Sequence, residues 1–313
     1  ADRGCRTWAH PSADDLSLRE IDSFFERNPF FSWVDLTGGE VALREDLPEI
    51  IRAIASRSRR LLLLHFPTNG YLVERVLAAA RAALASGPPR FIVSVSLDGP
   101  PALHDRLRGV EGSFARALET FGRLRREVGA EAYLGMTLHA ENFRSVGDTL
   151  AAVRRYLPWV KPSDLHFNLV HRSFFYHNPG EASLLPEEPE DLLSSLPRTG
   201  GALRPESYLE RRYLSLARAY LRTGRCPLPC LSLSASCFVD PAGTVYPCAG
   251  YDRPLGNLRG EGFSLGRLWS SPVVGALQGE IHSGRCPQCW TPCEAYQTIL
   301  GNLWPRRRER EKL

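Results

Sequence analysis

The chain of 313 residues has a single methionine, and cysteine is almost missing from its first 225 residues, where only Cys5 occurs. No stretch reaches the eighteen or so uninterrupted apolar residues of a membrane span, and no export-type apolar segment precedes Asp2-Arg3. A membrane role is therefore not expected, and a cytoplasmic location is. Charge of one sign is also scarce, the net value being +4. Apart from a closing run, Arg306-Arg307-Arg308-Glu309-Arg310-Glu311-Lys312, the basic residues are dispersed, and no basic face with aromatic or helix-turn-helix context marks a nucleic-acid partner. The cysteines, by contrast, are concentrated: seven of the eight lie between Cys226 and Cys293. Such clustering without an export signal suggests metal rather than disulfides.

What the first half does contain is an alternation. A capping box, Ser17-Leu18-Arg19-Glu20, opens a helix to about Asn28. Apolar strands are expected at Phe31–Leu36, Leu61–Phe66, Phe91–Leu97, Tyr133–Leu138 and Leu165–Val170. Amphipathic helices are expected at about Asp46–Ser58, Tyr71–Ser86, Ser113–Val128 and Ser145–Tyr156. Strands every thirty to forty residues, each followed by a helix, predict βαβ units and a parallel sheet. A series that opens on a helix lacks the strand this helix would follow, so the sequence is expected to begin inside its domain. The predicted fold class is α/β, with a first unit over 1–175, a proline-punctuated linker and bridging helix over 176–224, and a small cysteine-rich unit over 225–313. That last unit holds a predicted hairpin from Cys237 to Tyr246.

The strand ends carry the candidate chemistry. In order they present Gly38-Gly39-Glu40, Thr68-Asn69-Gly70, Ser94 and Ser96 with Asp98-Gly99, Thr137 with Asn142, and Asn168 with His171. In a parallel barrel the C-terminal ends of the strands form one rim, where chemistry collects. The paired glycines permit positive φ and close backbone approach, Glu40 suits an ammonium group, Asp98 and the strand serines suit sugar hydroxyls, and Arg108 suits a carboxylate. Such a rim fits a ligand that is both amino acid and nucleoside. His65, His104, His139, His166 and His171 are given no catalytic role. In the last unit, Cys230-x17-Cys248 and Cys286-x2-Cys289-x3-Cys293 supply thiolates for one metal or one cluster, and the spacing alone leaves zinc and iron–sulfur both open. Cys226 joins the candidate ligands. Cys237, inside a predicted strand, reads as a buried hydrophobe.

Gly38-Gly39-Glu40, Thr68-Asn69-Gly70, and Ser96-Leu97-Asp98-Gly99-Pro100 followed by His104-Asp105 and Arg108-Gly109 resemble the successive strand-end motifs of radical S-adenosylmethionine enzymes. Cys230, Gly243-x4-Cys248 and the terminal cysteine triplet resemble the auxiliary-cluster extension, called SPASM or twitch, carried by many of them. The resemblance implies a partial parallel (β/α)6 TIM-like barrel, with its first strand missing here. Gly38, Gly39 and Glu40 would hold the methionine amino group, Ser96 and Asp98 would lie near the ribose, and Arg108 would pair with the carboxylate. The implied cofactors are S-adenosyl-L-methionine and one or more 4Fe-4S clusters, the auxiliary one held among Cys226, Cys230, Cys248, Cys286, Cys289 and Cys293. The implied partners are a peptide or small-molecule substrate and an electron donor such as flavodoxin or ferredoxin. The chain departs from the family at its defining Cys-x3-Cys-x2-Cys loop, of which only Cys5 is present. One thiolate cannot hold a 4Fe-4S cluster. Three readings follow: truncation upstream, residues missing around positions 1 to 8, or a degenerate homologue that binds without catalysis. A zinc-stabilised protein of unrelated function is the further alternative.

Overall fold

A computed structural model of the chain describes Thr7 and residues 14–178, 190, 193–194, 196 and 205–303. Helix α1 (Leu18–Arg27) begins with the expected capping box: the Glu20 backbone N–H donates to Ser17 Oγ, and the Ser17 N–H donates to the Glu20 carboxylate at 2.8 Å. The strands that follow are β1 (Trp33–Asp35), β2 (Leu63–Thr68), β3 (Arg90–Ser96), β4 (Glu131–Leu138) and β5 (Leu165–Leu169), all parallel and paired in sequence order. Between them run α2 (Leu47–Arg57), α3 (Val73–Ser86), α4 (Pro101–Arg108), α5 (Ser113–Arg123, continued by a π-turn to Val128) and α6 (Val146–Tyr156). Helix α4 is an addition to the expected set, placed by Pro100-Pro101 at its start and Gly109 in the left-handed conformation at its end.

Sequential parallel order with right-handed crossovers puts every connecting helix on one face of the sheet, as in a segment of a (β/α) barrel. The burial pattern follows from this. Leu64, Phe66, Val93, Val95 and Leu134 are wholly buried under the helices, each contributing roughly 1.5–3 kcal/mol. The alternate residues of β2 and β3, among them His65, Ser94 and Ser96, are half-buried on the opposite, inner face. Five parallel strands are present, and β1 and β5 pair only with β2 and β4 respectively among the described residues. The turn after β2 has room only for glycine. Gly70 sits at φ +72°, and a Cβ there would lie 2.9 Å from Val95 Cγ1 and 3.0 Å from the Ala117 Cα.

Among the described residues the outer edge of β5 is satisfied by a helix instead of a strand. Helix α7 (Pro205–Thr223) sends Glu210 to accept from the Phe167 N–H at 3.0 Å and the Tyr213 hydroxyl to accept from the Leu169 N–H at 3.0 Å. Tyr213 stacks on Trp290, whose indole N–H donates to the Tyr213 carbonyl at 2.9 Å.

Beyond α7, the expected hairpin forms as β6 (Phe238–Val239) and β7 (Thr244–Tyr246), and β8 (Gly256–Asn257) adds a third antiparallel strand. Three helices complete this part: α8 (Leu265–Trp269), α9 (Pro272–His282) and α10 (Pro292–Gly301). It packs directly on the first unit. The Asn28 amide donates to the Phe263 carbonyl and its oxygen accepts from Leu265 N–H, while Arg259 pairs with Glu20 and Asp14. The Arg259 guanidinium holds the Glu20 carboxyl down at about 2. Among the described residues no helix is long and apolar enough to cross a membrane.

Candidate cofactor and cluster sites

Glu40 stands at the rim, just past β1. Its Oε1 accepts from the Thr68 hydroxyl at 2.8 Å and from the Ala42 N–H at 3.1 Å, and its Oε2 accepts from the Asn69 N–H at 2.6 Å. Burial raises its pKa, and these three hydrogen bonds oppose that shift, as does the charge of Arg108. The carboxylate is thus fixed across the ends of β1 and β2. Neither Gly38 nor Gly39 takes a positive φ, contrary to one use proposed for them. What they provide is space: among the described residues a Cβ at Gly38 would meet nothing within 4 Å, and one at Gly39 would meet only Thr7. Among the described residues no side chain crowds the backbone beside Glu40.

Asp98, at the end of β3, ties three elements together. Its Oδ1 accepts from the Thr137 N–H at 3.0 Å, its Oδ2 pairs with Arg108 Nη2 at 2.6 Å, and its carbonyl accepts from the buried Asn142 amide at 3.0 Å. Ser96 lies on the inner face opposite Gly135. The structure therefore brings Glu40, Asp98 and Arg108 to one rim, with the Asp98 carboxylate and Arg108 engaged with each other.

His104 joins this group by accepting. Its Nδ1 takes the Asp98 N–H at 3.0 Å, which requires that nitrogen to be unprotonated. Burial pushes its pKa down to about 4 from the ordinary 6.5. The unfolded chain takes up this proton as pH falls below about 6.5 and the folded chain does not, so stability is present above that pH and is lost as pH falls toward 4. Between pH 7 and pH 5 the loss attributable to His104 is expected to be about 2 kcal/mol. Urea midpoints at the two pH values, compared between the wild type and His104→Gln, check this: the difference between the two proteins should shrink by that amount at pH 5, and an unchanged difference refutes it.

The second site is a cavity of about 120 Å³ in the C-terminal part, walled by Cys226, Cys230, Cys248, Cys286 and Cys289. These residues come from the end of α7, the loop before β6, the loop after β7 and the segment before α10. Gln288, in the left-handed conformation at φ 55°, shapes the Cys286-x2-Cys289 turn, accepting from the Cys226 N–H at 2.9 Å and donating to Cys286 Sγ at 3.1 Å. Leu233, Tyr251, Val274, Leu277 and Ile281 form a small apolar core against which Cys230, Cys248 and Cys286 pack.

The electrostatics fit a bound cationic centre. Cys230 hydrogen-bonds Cys226 and keeps its proton, so the Cys226 thiol is pushed down and that of Cys230 up. Burial pushes Cys248 and Cys289 up, and their neighbouring thiols and Glu294 add to it. Thiols crowded together and desolvated cannot all ionise unless a metal centre compensates them, and soft thiolate donors suit iron–sulfur clusters. Among the described residues no three such side chains already converge at single-ion distances, so the donors surround a cavity instead of a point. Cys293 is exposed at its residue surface, outside the cavity wall, with its thiol also pushed up by burial. Cys237 packs against the main core, its thiol pushed up to about 12 by burial. Cys5 lies outside the described residues.

Sequence patterns did not single out Glu210, Tyr213 or the partners of His65. The first two are spaced three apart on α7, a spacing shared by any amphipathic helix. His171, named only as a strand-end residue, lines the cysteine cavity together with Arg172.

Residues 230–294 match the family model for the SPASM iron-sulfur cluster-binding domain. A segment of 110 residues, 35% of this chain, is 31% identical to the Fe-coproporphyrin III synthase of Methanosarcina barkeri strain Fusaro, and it spans 26% of that relative. The C-terminal part is thus an iron–sulfur domain of the SPASM class. Joined to a parallel α/β sheet with the strand-end motifs above, it makes the chain similar to the radical S-adenosylmethionine enzymes that carry this domain.

Proposed function

We propose that the protein is a radical S-adenosylmethionine enzyme that modifies a peptide or small-molecule substrate with the help of an auxiliary 4Fe-4S cluster. The observation that carries this reading is the meeting of Glu40, Asp98 and Arg108 at one rim beside the backbone of Gly38-Gly39. Glu40 would accept from the methionine ammonium, Gly38 and Gly39 would let the ligand approach the main chain, and Ser96 with Asp98 would border the ribose. Arg108 would share its charge between Asp98 and the methionine carboxylate. Bound there, a reduced 4Fe-4S cluster would supply the one-electron chemistry by which enzymes of this kind generate a 5′-deoxyadenosyl radical from S-adenosylmethionine. Cys5 would belong to the loop that holds this cluster. Cys226, Cys230, Cys248, Cys286 and Cys289, with Cys293 next to them, would hold the auxiliary cluster, and a flavodoxin- or ferredoxin-type donor would deliver electrons.

The test is release of 5′-deoxyadenosine from S-adenosylmethionine by anaerobically purified, cluster-loaded protein given a strong reductant. Release is expected from the complete reading frame, and none from it would end the enzyme reading. Glu40→Gln is expected to weaken S-adenosylmethionine binding by about ten- to a hundredfold, because a charged acceptor is lost, and to lower the urea midpoint as well, because the amide nitrogen would face a donor that the carboxylate now accepts from. Equilibrium dialysis with the labelled cofactor measures it, and unchanged affinity would remove Glu40 from the site.

A further inference from the structure

Three side chains on the inner face form an unbroken hydrogen-bonded series across adjacent strands. Asp35 ends β1 and stands opposite His65 of β2, and Ser94 of β3 stands opposite Pro67, two residues beyond His65 and on the same face. Asp35 Oδ1 lies 2.7 Å from His65 Nδ1, and His65 Nε2 lies 2.9 Å from Ser94 Oγ. A carboxylate only accepts, so Nδ1 carries the hydrogen. In the neutral ring Nε2 is then the acceptor and takes the Ser94 O–H. This is the order in which an imidazole, oriented from behind by a carboxylate, draws a proton from a hydroxyl.

Two members of the series are partly exposed. The His65 and Asp35 side chains are 19% and 33% exposed. Ser94 stands opposite Tyr133, and next to that pair Gly135 contributes no side chain: among the described residues a Cβ there would meet only the Ser94 Cβ, at 3.9 Å. Packing does not call for such a series, since the interior positions of parallel barrels are dominated by branched apolar residues.

We propose that Ser94, His65 and Asp35 form an acid–base relay that takes a proton from an O–H or N–H group of a substrate held on the inner face. The substrate X–H bond breaks and its proton passes to Ser94 Oγ. The hydrogen of Ser94 passes to His65 Nε2, and the resulting imidazolium is held by the Asp35 carboxylate. Reversal of the same path returns the proton to the product. The relay needs neither cluster nor S-adenosylmethionine, so it stands apart from the reading above.

An alkyl phosphonofluoridate tests it on cluster-loaded protein, because the probe phosphonylates a serine whose hydrogen is taken by a base, with fluoride leaving. Ser94 is expected to carry the adduct in peptide mass spectra, with a rate at least about a hundredfold lower in His65→Gln and Asp35→Asn. The near-isosteric Asp35→Asn decides the matter if His65→Gln does not fold. In parallel, ¹⁵N NMR of the imidazoles is expected to show His65 as the Nδ1–H tautomer in the wild type and as the Nε2–H tautomer in Asp35→Asn. No adduct on Ser94, equal rates in the wild type and Asp35→Asn, or the Nε2–H tautomer in the wild type would each overturn the relay.

Discussion

Replacing Cys286 and Cys289 together by alanine is expected to strip about four irons and the matching acid-labile sulfide from each chain, the content of one 4Fe-4S cluster. The two thiols form one wall of the cysteine cavity, on a turn whose shape depends on Gln288. Their removal leaves only Cys226, Cys230 and Cys248 on the cavity wall, with Cys293 outside it, fewer than the four thiolates such a cluster uses. The loss should reach beyond metal content. Folding and metal binding are coupled when a site exists only in the folded chain, so the C-terminal part should melt earlier as well. Cys237→Ala is the control, because that thiol packs in the core away from the cavity, and it should leave iron unchanged. Full iron retention by the double variant would refute the ligand assignment.

The second large effect concerns Arg108. Its partner Asp98 has a side chain only 8% exposed, and the pair is 2.6 Å apart. Removing one member of a buried ion pair leaves the other charge uncompensated, which costs roughly 3–5 kcal/mol. Arg108→Met should therefore lower the urea-derived stability by about that amount, although Met conserves much of the apolar stem. Asp98→Asn/Arg108→Met should cost less than the sum of the two single changes, because the stranded charge is gone. A loss under about 1 kcal/mol in Arg108→Met would show that the pair is not worth what buried pairs usually are. The same variant removes the cation whose charge acts on Glu40 and so should also weaken S-adenosylmethionine binding.

These two sites were legible in the sequence to different degrees, for physical reasons. Period and punctuation located the five strands and most helices, because β2 to β5 are apolar runs bounded by turn residues and the helices have one buried face. Helix α4 was missed because it has only eight residues, from the second of two prolines to the residue before a glycine, too few for a period to declare itself. Motif spacing identified Glu40, Asp98 and Arg108 as rim residues, but spacing holds no information on pairing. That Asp98 spends its carboxylate on Thr137 and Arg108 depends on where β4 and α4 return in space. The cysteines were readable as a group because thiols rarely cluster otherwise. Which of them face a common cavity depended on a three-stranded sheet of which only two strands were visible. The Asp35–His65–Ser94 series is a product of strand register, and register between strands thirty residues apart leaves no local mark.

The capping of the β5 edge by Glu210 and Tyr213 has a consequence for how the molecule can be divided. A sheet whose last strand offers bare N–H groups invites other chains to pair with it, and this protein hides those groups behind side chains of a helix anchored to Trp290. Cutting the chain before α7 would uncover β5 and its row of donors. A fragment ending near residue 175 should thus associate edge to edge and precipitate, even though every residue of the rim would still be present.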